Sequence, residues 1–272
     1  SCSPGWVNFI ELFYPDLLDH LSTAKSPMQM FGALVKTYYA EKAGINPDEI
    51  VSVAIMPCTA KKAEAAREEM GKDVDYVLTT RELGTMIREA GIDFTNLTEE
   101  EFDAPLGIST GAGVIFGASG GVMEAALRTV ADVVTGESLP DFEYHGVRGL
   151  TGIKEAQVTV AGKTVKVAVV NTLGNARIMM EKVRKGEADY HFIEIMACPG
   201  GCIGGGGQPV PISAEIRQKR IDSIYESDIS HEFRKSHDNP AIKELYDTWL
   251  GKPNGEKAHH LLHTHYHAQH KI

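Results

Sequence analysis

The sequence from Glu194 to Pro209 reads EIMACPGGCIGGGGQP, and the segment from Tyr190 to Ile195, YHFIEI, leads into it. This short segment, with two isoleucines and two aromatic residues, predicts a strand. The strand would end at Met196-Ala-Cys198, with a second cysteine, Cys202, four residues further on. Because ligands of open α/β sheets gather beyond the carboxyl ends of the strands, the stretch predicts an α/β fold with a thiol-rich site.

The same pattern occurs earlier in the chain, where the run from Ile50 to Ile55 ends at Met56-Pro57-Cys58. Strand-like and helix-like stretches alternate around both runs, which favours α/β layers in which helices cover each strand. A cluster of Gly, Pro and acidic residues near 135–150 indicates a lobe boundary. We therefore expect two lobes, approximately 1–140 and 141–240, and a helical tail from 241 to 272. Each lobe would hold a small, mostly parallel sheet flanked by helices, with the cofactor cleft between the lobes.

The composition of the 272 residues is that of an ordinary globular protein, with 43% hydrophobic and 24% charged residues. Its 27 Lys and Arg against 37 Asp and Glu give a formal net charge of −10. This balance argues against a nucleic-acid partner bound through a basic face and suits a basic redox partner. Because no run of 18 apolar residues occurs, we expect no membrane span.

The four cysteines, Cys2, Cys58, Cys198 and Cys202, are the residues most suited to hold a metal. A local C-x-x-x-C pair with distant cysteines is a usual way to supply the four thiolates of an iron–sulfur cubane. The neighbouring glycines and prolines would let backbone N–H groups approach the cluster sulfurs. Zinc is the competing metal, although zinc sites usually use two-residue spacings. Cysteines buried as small hydrophobic side chains are the remaining alternative.

Three motifs resemble those of the [FeFe]-hydrogenase large subunit, in its catalytic or H-cluster domain. Residues 56–64, MPCTAKKAE, fit Met-Pro-Cys-x-x-Lys-x-x-Glu, and residues 194–209 fit the third motif of the family throughout. Residues 1–6, SCSPGW, resemble the first motif, usually Thr-Ser-Cys-Cys-Pro-x-Trp. The resemblance spans essentially the whole chain and is closest to NAD(P)-linked, multi-subunit members. Because Ser1 stands inside a motif, we expect the natural protein to extend upstream.

The resemblance implies a [4Fe-4S] cluster that shares one cysteine with a diiron subcluster carrying CO, cyanide and dithiolate ligands. Cys58, Cys198 and Cys202 would ligate the cubane, with Cys202 as the bridge. Lys61 would donate a hydrogen bond to a cyanide. The residues implied to line the diiron pocket are Met56, Met196, Phe116 and Gly117.

The first motif leaves two roles open for Cys2. In the family, the cysteine directly before Pro ligates the cubane, and the cysteine before that one relays protons. Here Ser3 precedes Pro4, and Cys2 stands at the relay position. Alignment with the family therefore makes Cys2 the proton relay, whereas the count of four thiols for four ligand positions makes it the fourth ligand.

Two further polar residues are candidates through the same resemblance. Ser22 matches in spacing a serine of the family's proton path, although such a serine is more often a helix-end hydroxyl. Glu64 follows Lys61 by one helical turn, so it is either a carboxylate that orients the lysine or half of a plain surface pair.

The function implied is that of a cytoplasmic iron hydrogenase, which reversibly oxidises H2 to protons and electrons. Besides H2 and protons, its partners would be ferredoxin or NAD(P)-reducing subunits and hydrogenase maturation proteins. The alternative is a non-catalytic or sensory iron–sulfur protein of the same fold, and a zinc-stabilised interaction module is a third class. The intact second and third motifs favour the enzyme.

Overall fold

A computed structural model describes residues 2–140, 142–160 and 162–269 of the chain. The predicted fold class is confirmed, since small sheets are flanked by helices. By its internal contacts the chain divides into two compact units. The first unit consists of Ser1–Ile108, Gly206–Val210 and Pro240–Ile272, and the second consists of Ser109–Gly205 and Pro211–Asn239.

The first unit begins with helices whose bounds follow its prolines. Helix α1 (Pro4–Phe13) stops before Pro15, and a 3-10 helix (Pro15–His20) follows. This break is predicted by the sequence, because proline has no N–H to donate within a helix. The next helical run starts at α2 (Pro27–Leu34) and continues through a π-helical turn into α3 (Ala40–Ala43).

The sheet of the first unit has two parallel strands, β1 (Val53–Met56) and β2 (Tyr76–Thr79). In their register Met56 lies opposite Thr79. Each strand leads into a helix, α4 (Ala60–Ala65) after β1 and α5 (Thr80–Glu89) after β2. Since Thr79 and Glu82 form a reciprocal capping box, the end of β2 and the start of α5 are fixed together.

The second unit begins with α6 (Gly111–Ile115) and α7 (Gly121–Thr135), and continues into a three-stranded sheet. The strands lie in the order β3 (Ile153–Val160), β4 (Lys163–Asn171) and β5 (Phe192–Met196). Strands β3 and β4 are antiparallel, because the short turn through Gly162 can join only antiparallel neighbours. Strand β5 runs parallel to β4 after the crossover helix α8 (Leu173–Arg184), so this sheet is mixed.

The core of the second unit lies between α7 and the sheet. Met123 and Leu127 of α7 pack in one cluster with Val167 and Val169 of β4. Helix α9 (Ala214–Ser230) returns to α7, where Arg128 donates two hydrogen bonds to the Asp228 carboxylate, at 2.8 and 2.9 Å. Both side chains are fully buried, so this ion pair fixes α9 against α7.

The C-terminal residues return to the first unit as α10 (Pro240–Leu245), a π-helical turn (Tyr246–Leu250) and α11 (Glu256–Leu262). Their leucines pack against Leu34 and Tyr38. The described C-terminal residues therefore include helices as far as Leu262, and residues 264–269 form neither helix nor strand. No helix in the described ranges is both long and apolar enough to cross a membrane.

The boundary between the contact-based units falls at residues 108–109, upstream of the 135–150 region that the composition singles out. The chain after α7 belongs to the second unit for a local reason. The Asp132 carboxylate accepts a hydrogen bond from the Leu139 N–H at 3.0 Å, and the Leu139 carbonyl accepts one from the Lys235 ammonium at 2.9 Å. These polar contacts attach residues 135–140 to α7.

Candidate metal centre

The first cysteine site lies where β1 ends. Met56 is the last residue of the strand, and Cys58 follows it before α4 begins, with its side chain partly exposed. The Gly207 N–H donates to the Pro57 carbonyl at 3.0 Å. A Cβ on Gly207 would lie 2.9 Å from the Cys58 nitrogen, so only glycine permits this approach. The glycine run of the third motif therefore packs against the backbone that carries Cys58.

Arg81 holds the same glycine run from the start of α5. Its backbone N–H donates to the Gly207 carbonyl at 3.2 Å, and its guanidinium donates to the Gly206 carbonyl at 2.8 Å. These two bonds are accepted by the carbonyls of Gly206 and Gly207, the two residues after Gly205. The position of the glycine run thus depends on α5 as well as on the end of β1.

The second cysteine site lies where β5 ends. Met196 is the last residue of the strand and is buried, whereas Cys198 and Cys202 are partly exposed. Between the two cysteines, Gly200 and Gly201 have φ values of 83° and 95°, which favour glycine. The Gly201 N–H closes the turn by donating to the Cys198 carbonyl at 3.0 Å. The C-x-x-x-C pair is thus carried on one tight, left-handed turn.

The loop between α6 and α7 supports this cysteine turn. The Gly117 carbonyl accepts a hydrogen bond from the Ile203 N–H at 3.0 Å, and the Ser119 N–H donates to the Gly200 carbonyl at 2.9 Å. Phe116, next to Gly117, packs in the cluster of Ala112 and Ile115. Of the two predicted pocket residues on this loop, Phe116 and Gly117, it is Gly117 that contacts the cysteine turn through its backbone.

Glu194 connects the cysteine strand to α7. Its carboxylate accepts hydrogen bonds from the N–H groups of Gly120 and Met123, at 2.6 and 2.7 Å, at the start of that helix. Burial raises the pKa of the Glu194 carboxyl, and these N–H groups oppose the shift. Burial also lowers the pKa of Lys154 to about 8, while the nearby Glu194 charge opposes that shift. The glutamate of the third motif therefore acts as the N-terminal cap of α7.

Lys61 and Glu64 form a buried ion pair on α4. The Lys61 ammonium donates to both carboxylate oxygens of Glu64 at 2.9 Å, and the two side chains are 8% and 4% exposed. The Ser26 hydroxyl donates to the same carboxylate from the start of α2. The plain surface pair considered for Lys61 and Glu64 is therefore excluded, because neither side chain lies on the surface.

The residues of the first motif and Ser22 lie elsewhere in the first unit. Cys2 and Ser3 directly precede α1, and both are partly exposed. The Ser3 carbonyl accepts the N–H groups of Trp6 and Val7 at 3.0 Å, which starts the helix. Ser22 lies in the exposed loop before α2, where its hydroxyl accepts a long bond of 3.3 Å from the Ala24 N–H. Both roles considered for Cys2 remain open.

Two residues that form hydrogen bonds to candidate site residues are not marked by any pattern in the sequence. Ser26 precedes Pro27 and reads as an ordinary helix start. Asn171 ends β4, and its side-chain oxygen accepts a hydrogen bond from the Gly200 N–H at 3.1 Å. The bond from Ser26 to Glu64 and the bond from Gly200 to Asn171 each join segments far apart in the chain, so no local pattern predicts them.

The chemistry of the cysteines fits an iron–sulfur cluster, whose ligands are thiolates. None of the four is in a disulfide, so each can supply a thiolate. Within the described ranges, no three Cys, His, Asp or Glu side chains converge as one metal ion requires. A cubane differs, because its thiolates bind separate irons at its corners. A Cβ on Gly201 or Gly207 would lie 2.7 or 2.8 Å from the nearest backbone atom, so these glycines permit close backbone packing beside the cysteines.

The fold and the candidate residues define an α/β protein in which Cys58 follows β1, and Cys198 and Cys202 follow β5. A buried lysine, Lys61, lies three residues after Cys58. The chain belongs to the iron-only hydrogenase large-subunit family. Residues 1–206 match the family described as "Iron only hydrogenase large subunit, C-terminal domain". Residues 214–269 match the family described as "Iron hydrogenase small subunit".

Relatives of this chain include an "NADP-reducing hydrogenase subunit HndD" of Solidesulfovibrio fructosivorans. It is 51% identical over 100% of this chain and 47% of the relative. A solved structure of "[FeFe]-hydrogenase HydA1 from Chlamydomonas reinhardtii" is similar with a TM-score of 0.83 and 46% identity, over 98% of this chain and 75% of that one. "Cytosolic iron-sulfur assembly component 3" of Rattus norvegicus is 34% identical, over 100% of this chain and 59% of the relative. The chain thus spans about half the length of these curated relatives.

Proposed function

We propose that this chain is the cofactor-binding domain of an iron hydrogenase that interconverts H2 with protons and electrons. The observation that carries the proposal is the contact of the third motif with the second, where the Gly207 N–H donates to the Pro57 carbonyl. This contact brings the glycine run that follows Cys202 against the backbone of Cys58. Membership of the hydrogenase family and the buried Lys61 support the same function.

In this proposal Cys58, Cys198 and Cys202 would hold a [4Fe-4S] cluster, and Cys202 would be the cysteine shared with the diiron subcluster. When bound, this cofactor supplies the cleavage of H2 and the path for electrons. The protein contributes a shaped pocket with little water. Met56 and Met196 would supply polarisable, apolar contacts to the diiron unit, and Phe116 and Gly117 would line the same pocket.

The polar residues hold charge and move protons. Lys61 would donate a hydrogen bond to a cyanide ligand, and Glu64 would orient Lys61. Ser22 would take up and release a proton on the way to solvent. Cys2 would either be the fourth thiolate ligand or relay protons toward Ser22.

We also propose that the protein works in the cytoplasm with an electron-carrying partner, either ferredoxin or NAD(P)-reducing subunits, after maturation proteins have delivered the diiron unit. The name of the relative "NADP-reducing hydrogenase subunit HndD" supports the second kind of partner. Four thiols without a disulfide suit a reducing compartment.

The proposal is tested by loading the chain under anaerobic conditions, first with iron and sulfide and then with a diiron subcluster. We expect the absorption of a [4Fe-4S] cluster after the first step and H2 evolution from a reduced dye after the second. Cys198→Ala should lose most of the iron, because three thiolates hold a cubane weakly. A loaded wild-type protein that binds the cluster but produces no H2 would favour the non-catalytic iron–sulfur alternative.

A further inference from the structure

The hydrogen bonds that the Lys61 ammonium makes to Glu64 fix the orientation of the ammonium group. An ammonium group carries three N–H donors. Two of them go to Glu64, one to each carboxylate oxygen at 2.9 Å, so one remains to point elsewhere. Because the two bonds form a fork, the ammonium cannot rotate without breaking one of them. The direction of the third N–H is therefore set by the plane of the Glu64 carboxylate.

The carboxylate plane is in turn held from another helix. Glu64 lies on α4, a helix of six residues that offers little rigidity by itself. The Ser26 hydroxyl donates to Glu64 Oε1 from the residue that caps α2. Ser26 is 1% exposed and Glu64 is 4% exposed, so water does not compete for this bond.

We infer that Ser26 is a positioning residue, which acts through Glu64 to aim the remaining N–H of Lys61 at the cofactor. The inference rests on the proposed function, since it assumes that this N–H meets an anionic ligand of the cofactor. It adds the N-cap residue of α2 to the motif residues at the end of β1 and on α4. In addition to its role as the N-cap of α2, Ser26 contributes the hydrogen bond from its hydroxyl to Glu64.

Ser26 has two roles, and substitution can separate them. Its hydroxyl also accepts the Gln29 N–H at 3.4 Å as the N-cap of α2. Glycine is nearly as good an N-cap as serine, whereas alanine is clearly worse. Ser26→Gly therefore removes the bond to Glu64 and largely spares the cap, and Ser26→Ala removes both. Ser26→Thr keeps the hydroxyl and serves as the rescue variant.

The first measurement needs no cofactor. Lys61 and Lys62 are labelled in competition with an amine-reactive ester, and each is quantified by mass spectrometry. Lys62 is 45% exposed and is the internal standard. We expect the labelling ratio of Lys61 to Lys62 to rise about fivefold in both Ser26→Gly and Ser26→Ala, the factor that corresponds to one hydrogen bond of about 1 kcal/mol. Ser26→Thr should keep the wild-type ratio.

A matched control is the N-cap of α9. The Ser213 hydroxyl accepts the Ile216 N–H at 3.1 Å, and Ser213 lies in the other unit. Ser213→Gly and Ser213→Ala should leave the labelling of Lys61 unchanged. An unchanged ratio in Ser26→Gly would overturn the inference, as would a rise in Ser26→Ala alone, because that result assigns the effect to capping. If Ser26→Gly fails to fold, the inference would be overturned by a Lys61 to Lys62 labelling ratio in Ser26→Ala equal to the ratio in Ser213→Ala.

The second measurement reads the cofactor without turnover. In the loaded protein, the infrared cyanide bands should shift in Ser26→Gly and return to the wild-type positions in Ser26→Thr. Unshifted bands in Ser26→Gly would contradict the inference. Failure of the proposed function has a different signature, because a wild-type protein that binds no diiron unit shows no cyanide bands while the labelling ratios still report on Ser26.

Discussion

At the scale of single residues, the candidate functional residues include a buried ion pair and cysteines that are partly exposed. Lys61 and Glu64 lie away from water, where an unpaired charge is costly. Cys58, Cys198 and Cys202 keep some exposure, as ligands of a group that enters after folding would. The buried pair is therefore tested by the stability of the protein, and the proposed cysteine ligands are tested by its iron content.

Removal of the Glu64 carboxylate should destabilise the protein. Glu64→Ala leaves the Lys61 charge buried without compensation, so we expect the free energy of unfolding to fall by about 3 kcal/mol. Urea denaturation of the cluster-free protein measures this loss. Glu215→Ala is the control, because Glu215 pairs with Lys219 at 76% and 72% exposure and its loss should cost less than about 1 kcal/mol. Equal costs at the two positions would contradict the buried pair.

The role of Cys2 is decided by two variants. Because the chain offers four thiols for four ligand positions, we expect Cys2→Ala to lose the cubane and turnover together, and Ser3→Ala to keep both. Iron content and H2 evolution are measured on the same preparations. A Cys2→Ala protein with a complete cubane and no turnover would instead make Cys2 the proton relay.

At the scale of elements, Cys58, Cys198 and Cys202 follow strand ends, and the backbone beside them makes close contacts that only glycine allows. Gly207 touches the end of β1, and Gly201 turns the chain after β5. Glu194 then ties β5 to α7 through two N–H groups. The element that carries a cysteine is thus fixed by a partner remote in the sequence.

A methyl group at Gly207 should disturb the first cysteine site. Its Cβ would lie 2.8 Å from the Pro57 carbonyl carbon, so Gly207→Ala should push the end of β1 away and cost about 1–3 kcal/mol of stability, with a lower iron content. Gly84→Ala is the control, because a Cβ on Gly84 meets no atom within 4 Å and should stabilise α5 slightly. Full iron content in Gly207→Ala would show that the close approach is not needed.

At the scale of the whole molecule, the C-terminal part of the chain contributes to both units. Residues 211–239 belong to the second unit and Pro240–Ile272 to the first. Helix α9 supplies Asp228 to Arg128, and the later helices supply Leu245, Leu250 and Leu262 to a core. The family match changes between residues 206 and 214, just before this shared segment.

Truncation after Pro211 should therefore unfold both units. Each buried leucine lost costs about 2–5 kcal/mol, so three of them equal the whole stability of a typical domain, about 5–15 kcal/mol. Thermal denaturation followed by circular dichroism should show no cooperative transition for residues 1–211. Addition of residues 212–272 as a separate peptide is the control and should restore the transition. A fragment of residues 1–211 that melts like the full chain would refute the claim that residues 212–272 are needed to fold both units.

Several features follow from the sequence by itself. The break between α1 and the next helix follows from Pro15, and the strands that end at Met56 and Met196 follow from short β-branched runs. Burial and backbone propensity act locally, so periodicity, proline and glycine report them directly. The same local signals carry the cysteine spacing and the family motifs, and hence the α/β class.

Only the tertiary structure decided which residues hold these motifs in place. Ser26 meets Glu64 across 38 residues, and the Glu194 carboxylate reaches the Gly120 N–H across 74. Gly207 packs on Pro57, and the C-terminal helices rejoin the first unit. Such bonds depend on where folded elements meet, and a buried polar group takes whichever partner the packing brings near, so no spacing in the sequence encodes it.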